Sequence, residues 1–140
     1  MTKGERHETG GRAVGLRASS IVVTDLDRAI DFYTRILGMV VRVDERRYNW
    51  VELGPEESLG RLALTQKKDG MREPGGPTGI VLLVEDIHSL FKIAKEKGAK
   101  FILPPHRQPW RGIIARVEDP DGNEITLLDS EMVSQWMMGA

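Results

Sequence analysis

The residues able to do chemistry in this 140-residue chain are few in kind, and their spacing excludes several mechanisms. With no cysteine there is no thiolate metal site, no disulfide framework and no Cys nucleophile. The three histidines are His7, His88 and His106, and none has a second ligand at i+2 or i+4. No sequence context brings a histidine to a serine nucleophile, and GxGxxG and phosphate-loop patterns are absent. What remains is a set of aromatic and arginine side chains with a few acids. In the strand-like run Tyr48 to Leu53, Val51 and Leu53 are the natural core residues, so Tyr48, Trp50 and Glu52 share the opposite face. The same alternation sets Arg116 opposite Ala115 and Val117. Arg42 joins this set less directly, and Trp110 and Arg111 sit in the loop Pro104 to Gly112. Aromatic faces offer stacking area and arginine offers a fork for carboxylate or phosphate, which is the chemistry of holding a flat, anionic small molecule. The competing reading puts Trp50 and Tyr48 in a core or dimer interface, pairs Arg116 with Glu124 or Glu118, and makes Trp110 a loop anchor. The pairs Arg46-Arg47 and Lys67-Lys68 read as solvated surface charge.

Two copies of one unit must position these residues. In the first, a strand over Ala18 to Val23 leads to Asp25 as helix cap. An apolar helical stripe follows, of Leu26, Ala29, Ile30, Tyr33, Ile36 and Leu37, and stops at Gly38. Strand-like runs then cover Met39 to Glu45, Tyr48 to Leu53 and Arg61 to Gln66. The second copy has a strand over Gly79 to Val84, Asp86 as cap, and a helix carrying Ile87, Leu90, Phe91 and Ala94 up to Gly98. Strands over Lys100 to Leu103, Gly112 to Glu118 and Glu124 to Leu128 complete it. Val23-Thr24-Asp25-Leu26 is matched by Val84-Glu85-Asp86-Ile87, 61 residues later, so the order βαβββ occurs twice. The expected organisation is a leader over 1–15, a first module over 16–66 and a linker over 67–77. A second module spans 78–129, and the amphipathic tail 130–140 carries Met132, Val133, Trp136 and Met137 on one face.

Lys plus Arg is 20 and Asp plus Glu is 21, a net charge of −1 that argues against a dedicated nucleic-acid binder. No apolar stretch is long enough to span a membrane, and a cytoplasmic setting is the expectation.

The run Val23-Thr24-Asp25-Leu26-Asp27-Arg28-Ala29-Ile30-Asp31-Phe32-Tyr33, continuing to Leu37-Gly38-Met39, resembles the first module of the vicinal oxygen chelate superfamily. That group contains glyoxalase I, the bleomycin-resistance proteins and the extradiol dioxygenases. Asp119-Pro120-Asp121-Gly122-Asn123 resembles the tight turn before the family's last strand. Pro120 presets φ, Gly122 tolerates φ > 0, and Asp119 and Asn123 are expected to bond the local backbone, a structural role. The resemblance covers Leu16 to Asp129. It implies an α+β fold of two βαβββ modules whose curved mixed sheets form a cleft.

In the family's metal-using members four inward side chains hold one divalent ion. By resemblance their positions here are Ala18, Ala63, Gly79 and Thr126. Alanine and glycine have no donor atom and threonine is a weak neutral ligand, so no metal and no cofactor are expected. With Thr126 facing the cleft, Glu124 and Leu128 do too, and Ser20 and Val22 join Ala18. The expected ligand-binding set is therefore Ser20, Arg42, Tyr48, Trp50, Trp110, Arg116, Glu124 and Thr126. The implied function is metal-independent capture of a drug or metabolite by a homodimer. The alternatives are a glyoxalase-like lyase, a metal-free catalyst using Glu124 and Glu52, or a module with a vestigial cleft serving protein association.

Overall fold

The computed structural model describes residues 10–55 and 60–131; Met132, Val133, Trp136 and Met137 of the expected tail lie outside the described residues. The first module runs β1 (Ala18–Val23), α1 (Leu26–Asp31) leading into a π-helical turn (Phe32–Ile36), and β2 (Val40–Glu45). It continues through a 3-10 turn (Arg46–Tyr48) to β3 (Trp50–Gly54) and β4 (Arg61–Gln66). The second runs β5 (Gly76–Val84), α2 (Ile87–Glu96), β6 (Lys100–Arg107), β7 (Ile113–Glu118) and β8 (Asn123–Asp129). Each forms a four-stranded sheet, in the orders β1-β4-β3-β2 and β5-β8-β7-β6. The first and last strands of each module pair parallel and the other pairs are antiparallel. The doubled βαβββ order is thus present as two equivalent mixed sheets. No helix among the described residues is long and apolar enough to cross a membrane.

Local chemistry accounts for the elements. The Asp25 carboxylate accepts the Arg28 N–H at 3.1 Å and that of Asp86 accepts the Ser89 N–H at 3.3 Å, so each module caps its helix as expected. In the π-helical turn the Leu37 N–H donates to the Phe32 carbonyl at 3.2 Å, an i to i+5 bond. The extra residue turns the consecutive pair Phe32 and Tyr33 inward together, with their rings edge to face at 5.0 Å. Ile21, Val23, Val51, Leu53, Leu62 and Leu64 fill the helix-facing side of the first sheet. Ala115, Val117, Ile125 and Leu127 do so in the second, where α2 packs on β6, β7 and β8. Period-2 alternation turns Val81 and Leu83 to the opposite face of the second sheet, where they stay exposed, and Ala63 and Glu52 to that of the first, where they are buried.

The turn of Asp119 to Asn123 does more than bond its own backbone. Asp119 Oδ1 accepts the N–H groups of Asp121 and Asn123, each at 2.9 Å, as expected of a tight turn. Gly122 provides its positive φ of 79°. Asp119 Oδ2 accepts the Tyr33 hydroxyl at 2.9 Å, 86 residues away in the chain. Asn123 Nδ2 donates to the Val22 carbonyl at 3.0 Å, and the Asp121 carboxylate accepts from Arg28 and from the Thr24 N–H and hydroxyl. The two sequence signatures therefore bind each other and lock the modules together. Burial, then the Asp119 charge and the hydrogen bond to it, holds the Tyr33 hydroxyl well above the ordinary phenol range.

Three sequence expectations are corrected. Tyr48 is not the first residue of a strand: Asn49 takes a left-handed φ of 59° after the 3-10 turn, so β3 starts at Trp50. β5 begins at Gly76, because Gly76 and Pro77 pair with Asn123 and Glu124 ahead of a register shift. β6 continues through Pro104 and Pro105 to Arg107. It is an edge strand with register shifts at Phe101/Leu103 and Leu103/His106, where missing proline N–H groups cost least.

Candidate functional site

On the second sheet, Thr126 is flanked by Val81 on one side and Arg116 on the other. One step along, Leu128 is flanked by Leu83 and Ile114. Val81 and Leu83 are 56% and 57% exposed, so this face is apolar and open. Arg116 stands half-buried within it. Among the described residues no hydrogen bond or ion pair reaches the Arg116 side chain. The pairing with Glu118 or Glu124 does not form: Glu118 takes Lys100 Nζ at 3.2 Å, and Glu124 lies opposite Glu118 on the neighbouring strand. The neighbours of Arg116 across the strands are Leu103 and Thr126, and a half-buried guanidinium with no acid bonded to it among the described residues can take an anion brought from outside.

On the first sheet the equivalent row is Ser20, Ala63 and Glu52. Glu52 is 4% exposed, yet satisfied. Its Oε2 accepts the Trp50 indole N–H at 2.8 Å, and its Oε1 accepts from Arg17 at 2.9 Å and Arg61 at 3.3 Å. Burial pushes the carboxylate pKa up, but the hydrogen bonds from Trp50 and Arg17, the Arg17 charge and the Arg61 bond outweigh it, so the net shift is downward. A carboxylate so engaged is a weak base; its geometry makes it the anchor that orients Trp50 and gathers the two arginines. Arg17 and Arg61 were not singled out from sequence, because the contact from Arg17 spans 35 residues.

The eight expected site residues thus separate into groups. Arg116, Glu124 and Thr126 share the open face of the second sheet, and Ser20 and Trp50 share the face of the first that carries the buried Ala63 and Glu52. Arg42 lies half-buried at the bulge of β2 between Val41 and Val43. Tyr48 stands outside these faces, 71% exposed beside the Arg47 guanidinium at 4.8 Å from its ring centre. Trp110 sits at the tip of the β6–β7 hairpin, half exposed.

A groove of about 450 Å³ lies elsewhere, between α1 and the β7–β8 turn. Its charges neutralise one another, Arg28 with Asp121, Arg35 with Asp31 and Lys100 with Glu118, so it offers an incoming ligand little. Arg116 on the open face of the second sheet, not this groove, carries unspent chemistry.

The four positions where the family would hold a metal do not fit one. Ala18, Ala63 and Gly79 supply no donor atom, and Thr126 supplies one hydroxyl between Val81 and Arg116. The nearest carboxylate on the first sheet, Glu52, has both oxygens committed. Among the described residues no three of His, Asp and Glu gather at one point.

Two four-stranded mixed sheets from a doubled βαβββ unit, with small residues where ligands to an ion would stand, define a class before any relative is considered. Residues 15–127 match the family described as the Glyoxalase/Bleomycin resistance protein/Dioxygenase superfamily, and the chain belongs to it. It is 34% identical over 119 residues to a probable lactoylglutathione lyase of Synechocystis sp., covering 79% of this chain and 91% of that one. It is also 34% identical over 120 residues to a probable chloroplastic lactoylglutathione lyase of Arabidopsis thaliana. That match covers 76% of this chain but only 33% of that protein. Among solved structures, a superfamily member from Sphaerobacter thermophilus matches with a TM-score of 0.74 and 33% identity, covering 84% of this chain and 98% of the other. TnmS3, an antibiotic binding protein from Streptomyces sp. CB03234, matches with a TM-score of 0.72 and 28% identity, covering 84% and 96%.

Proposed function

We propose that this chain is a metal-independent small-molecule-binding protein of the superfamily, sequestering a drug or metabolite in the cleft that the open face of its second sheet lines. The observation that carries this is Arg116: a half-buried cation next to the exposed Val81 and Leu83 row, with no partner among the described residues. The donor-poor residues at the family's metal positions support the same reading, as does the likeness to an antibiotic binding protein. The ligand class is flat, partly apolar and anionic. We further propose a homodimer, since Val40 and Ile102 stay exposed on the edge strands β2 and β6 of a single chain. The test is tryptophan fluorescence titrated with a panel of aromatic acids, beside native mass spectrometry of protein purified from its own host. Quenching that saturates and weakens in Arg116→Ala supports the reading; affinities unchanged by both Arg116→Ala and Trp50→Phe refute it.

The second reading, a glyoxalase-like lyase with an atypical site, is favoured by the relatives named lactoylglutathione lyase. Thermal stabilisation by sub-millimolar Ni²⁺, Zn²⁺, Mn²⁺ or Fe²⁺ separates the two, because a ligand that binds only the folded state raises its stability.

A further inference from the structure

Cross-strand rows of different chemistry follow one another along the open face of the second sheet. Nearest the β7–β8 turn, Glu118 lies opposite Glu124, with Lys100 on one flank and Pro77 on the other. In the next row Arg116 lies opposite Thr126, and in the one after that Ile114, Leu128 and Leu83 stand side by side. Like charges directly opposite one another repel. Lys100 Nζ relieves Glu118, at 3.2 Å, and Pro77 brings no charge to Glu124. Glu124 is half-buried, and its backbone carbonyl accepts the Thr78 hydroxyl at 2.7 Å. Among the described residues no donor reaches its carboxylate. Arg116, one row on, is equally unpartnered. The two stand on a cross-strand diagonal, where side chains start roughly 7–8 Å apart, and no ion pair joins them.

The face therefore presents one carboxylate and one guanidinium side by side, each without a partner of its own, and an aliphatic row beyond the guanidinium. We infer that its ligand is a small zwitterion, an acid that carries its own ammonium group: the carboxylate meets Arg116, the ammonium meets Glu124, and the apolar body lies over Ile114, Leu128 and Leu83. A plain monoanion satisfies Arg116 but brings a third negative charge beside Glu118 and Glu124. A zwitterion adds no net charge, and each of its ends takes a charge-assisted hydrogen bond. The order of the rows fixes its direction, with the ammonium toward the β7–β8 turn and the apolar body toward the β6–β7 hairpin. This rests on the small-molecule reading above and adds to the acid a second charge of opposite sign, recognised by Glu124.

Three probes share one skeleton: L-phenylalanine carries both charges, 3-phenylpropionate the carboxylate alone and 2-phenylethylamine the ammonium alone. Each is titrated calorimetrically at neutral pH into wild type, Glu124→Gln and Arg116→Gln. Wild type is expected to bind L-phenylalanine at least about tenfold tighter than either single-charge probe, as one charge-assisted contact allows. Glu124→Gln should weaken L-phenylalanine and tighten 3-phenylpropionate, because it takes an acceptor from the ammonium and a repelling charge from the monoanion. Arg116→Gln should weaken L-phenylalanine and 3-phenylpropionate and tighten 2-phenylethylamine. Opposite signs within one variant do not arise from lost folding, which weakens every probe. If wild type holds 3-phenylpropionate as tightly as L-phenylalanine and Glu124→Gln changes neither, the inference is overturned and the small-molecule reading stands. If Glu124→Gln tightens both, Glu124 competes with the ligand for Arg116 instead of holding an ammonium, and the inference is overturned likewise. Wild type that binds none of the three probes at millimolar concentration overturns the aromatic-acid reading itself.

Discussion

Replacing Tyr33 by phenylalanine removes one oxygen and tests how the two modules are held together. The ring is fully buried, and phenylalanine fills its volume, so no cavity opens. What is lost is the hydrogen bond to Asp119 Oδ2 at 2.9 Å. Asp119 keeps the Asn123 side-chain donor at 2.8 Å and two backbone N–H groups, so it is not left unsatisfied. A hydrogen bond to a charged group contributes about 1.5–3 kcal/mol, and the surviving partners put the expected loss near the lower end, ~1.5 kcal/mol. Urea unfolding at pH 7, followed by far-UV circular dichroism, measures it as a lower midpoint at unchanged slope. The pH dependence gives an independent sign. Folding raises the Tyr33 pKa above its ordinary value of 10.0, so the unfolded chain loses this proton first on titration with base. Its contribution is therefore complete below about pH 10 and declines as pH rises further. Wild type should lose more stability than Tyr33→Phe between pH 9 and 11, and the two curves should converge. A loss under about 0.5 kcal/mol at pH 7, or curves that stay parallel through that range, would refute the clamp.

Glu52 carries the opposite pH sign. Its carboxylate is held below the ordinary range, so its contribution is present above the unfolded carboxylate pKa and fades as pH falls through the lowered one; Glu52→Gln should flatten the acid side of the stability curve. Glu52→Ala takes the acceptor from the Trp50 indole and should cost about 1–3 kcal/mol at pH 7, with altered Trp50 emission. Arg28→Ala, at an ion pair half open to water, should cost under about 1 kcal/mol by thermal unfolding, much less than Asp121→Ala, which also strips Thr24 of its acceptor. Sedimentation at tens of micromolar should show a dimer, and a monomer there would count against the proposed assembly.

Much of the scaffold was legible in the sequence because its signals are local. Asp25 and Asp86 announce their caps within three residues, and the alternation of Val51 and Leu53 against Trp50 and Glu52 gives the sheet face directly. The failures share a cause in longer range or backbone geometry. Nothing near Tyr48 shows that Asn49 turns left-handed and ends the strand pattern one residue later. Pro104 and Pro105 read as a loop because their tolerance in β6 depends on its being an edge. The site is harder still. Glu52 is a plausible base until Arg17, Arg61 and Trp50 are seen to converge on it, and Asp119 is a turn residue until Tyr33 arrives from the other module. Alternation sets Arg116 beside Thr126, as the strand pairing has it, but whether it pairs internally depends on Glu118 and Glu124, and Glu118 takes Lys100 instead.

The central claim, that Arg116 and its apolar surroundings bind an anionic small molecule without a metal, is tested most directly by calorimetric titration of an aromatic acid in excess EDTA. The account expects saturable binding that EDTA leaves unchanged and that Arg116→Ala weakens by about tenfold or more, the loss of a charge-assisted contact. Binding that disappears in EDTA and returns with a divalent ion, or that Arg116→Ala leaves intact, would contradict it.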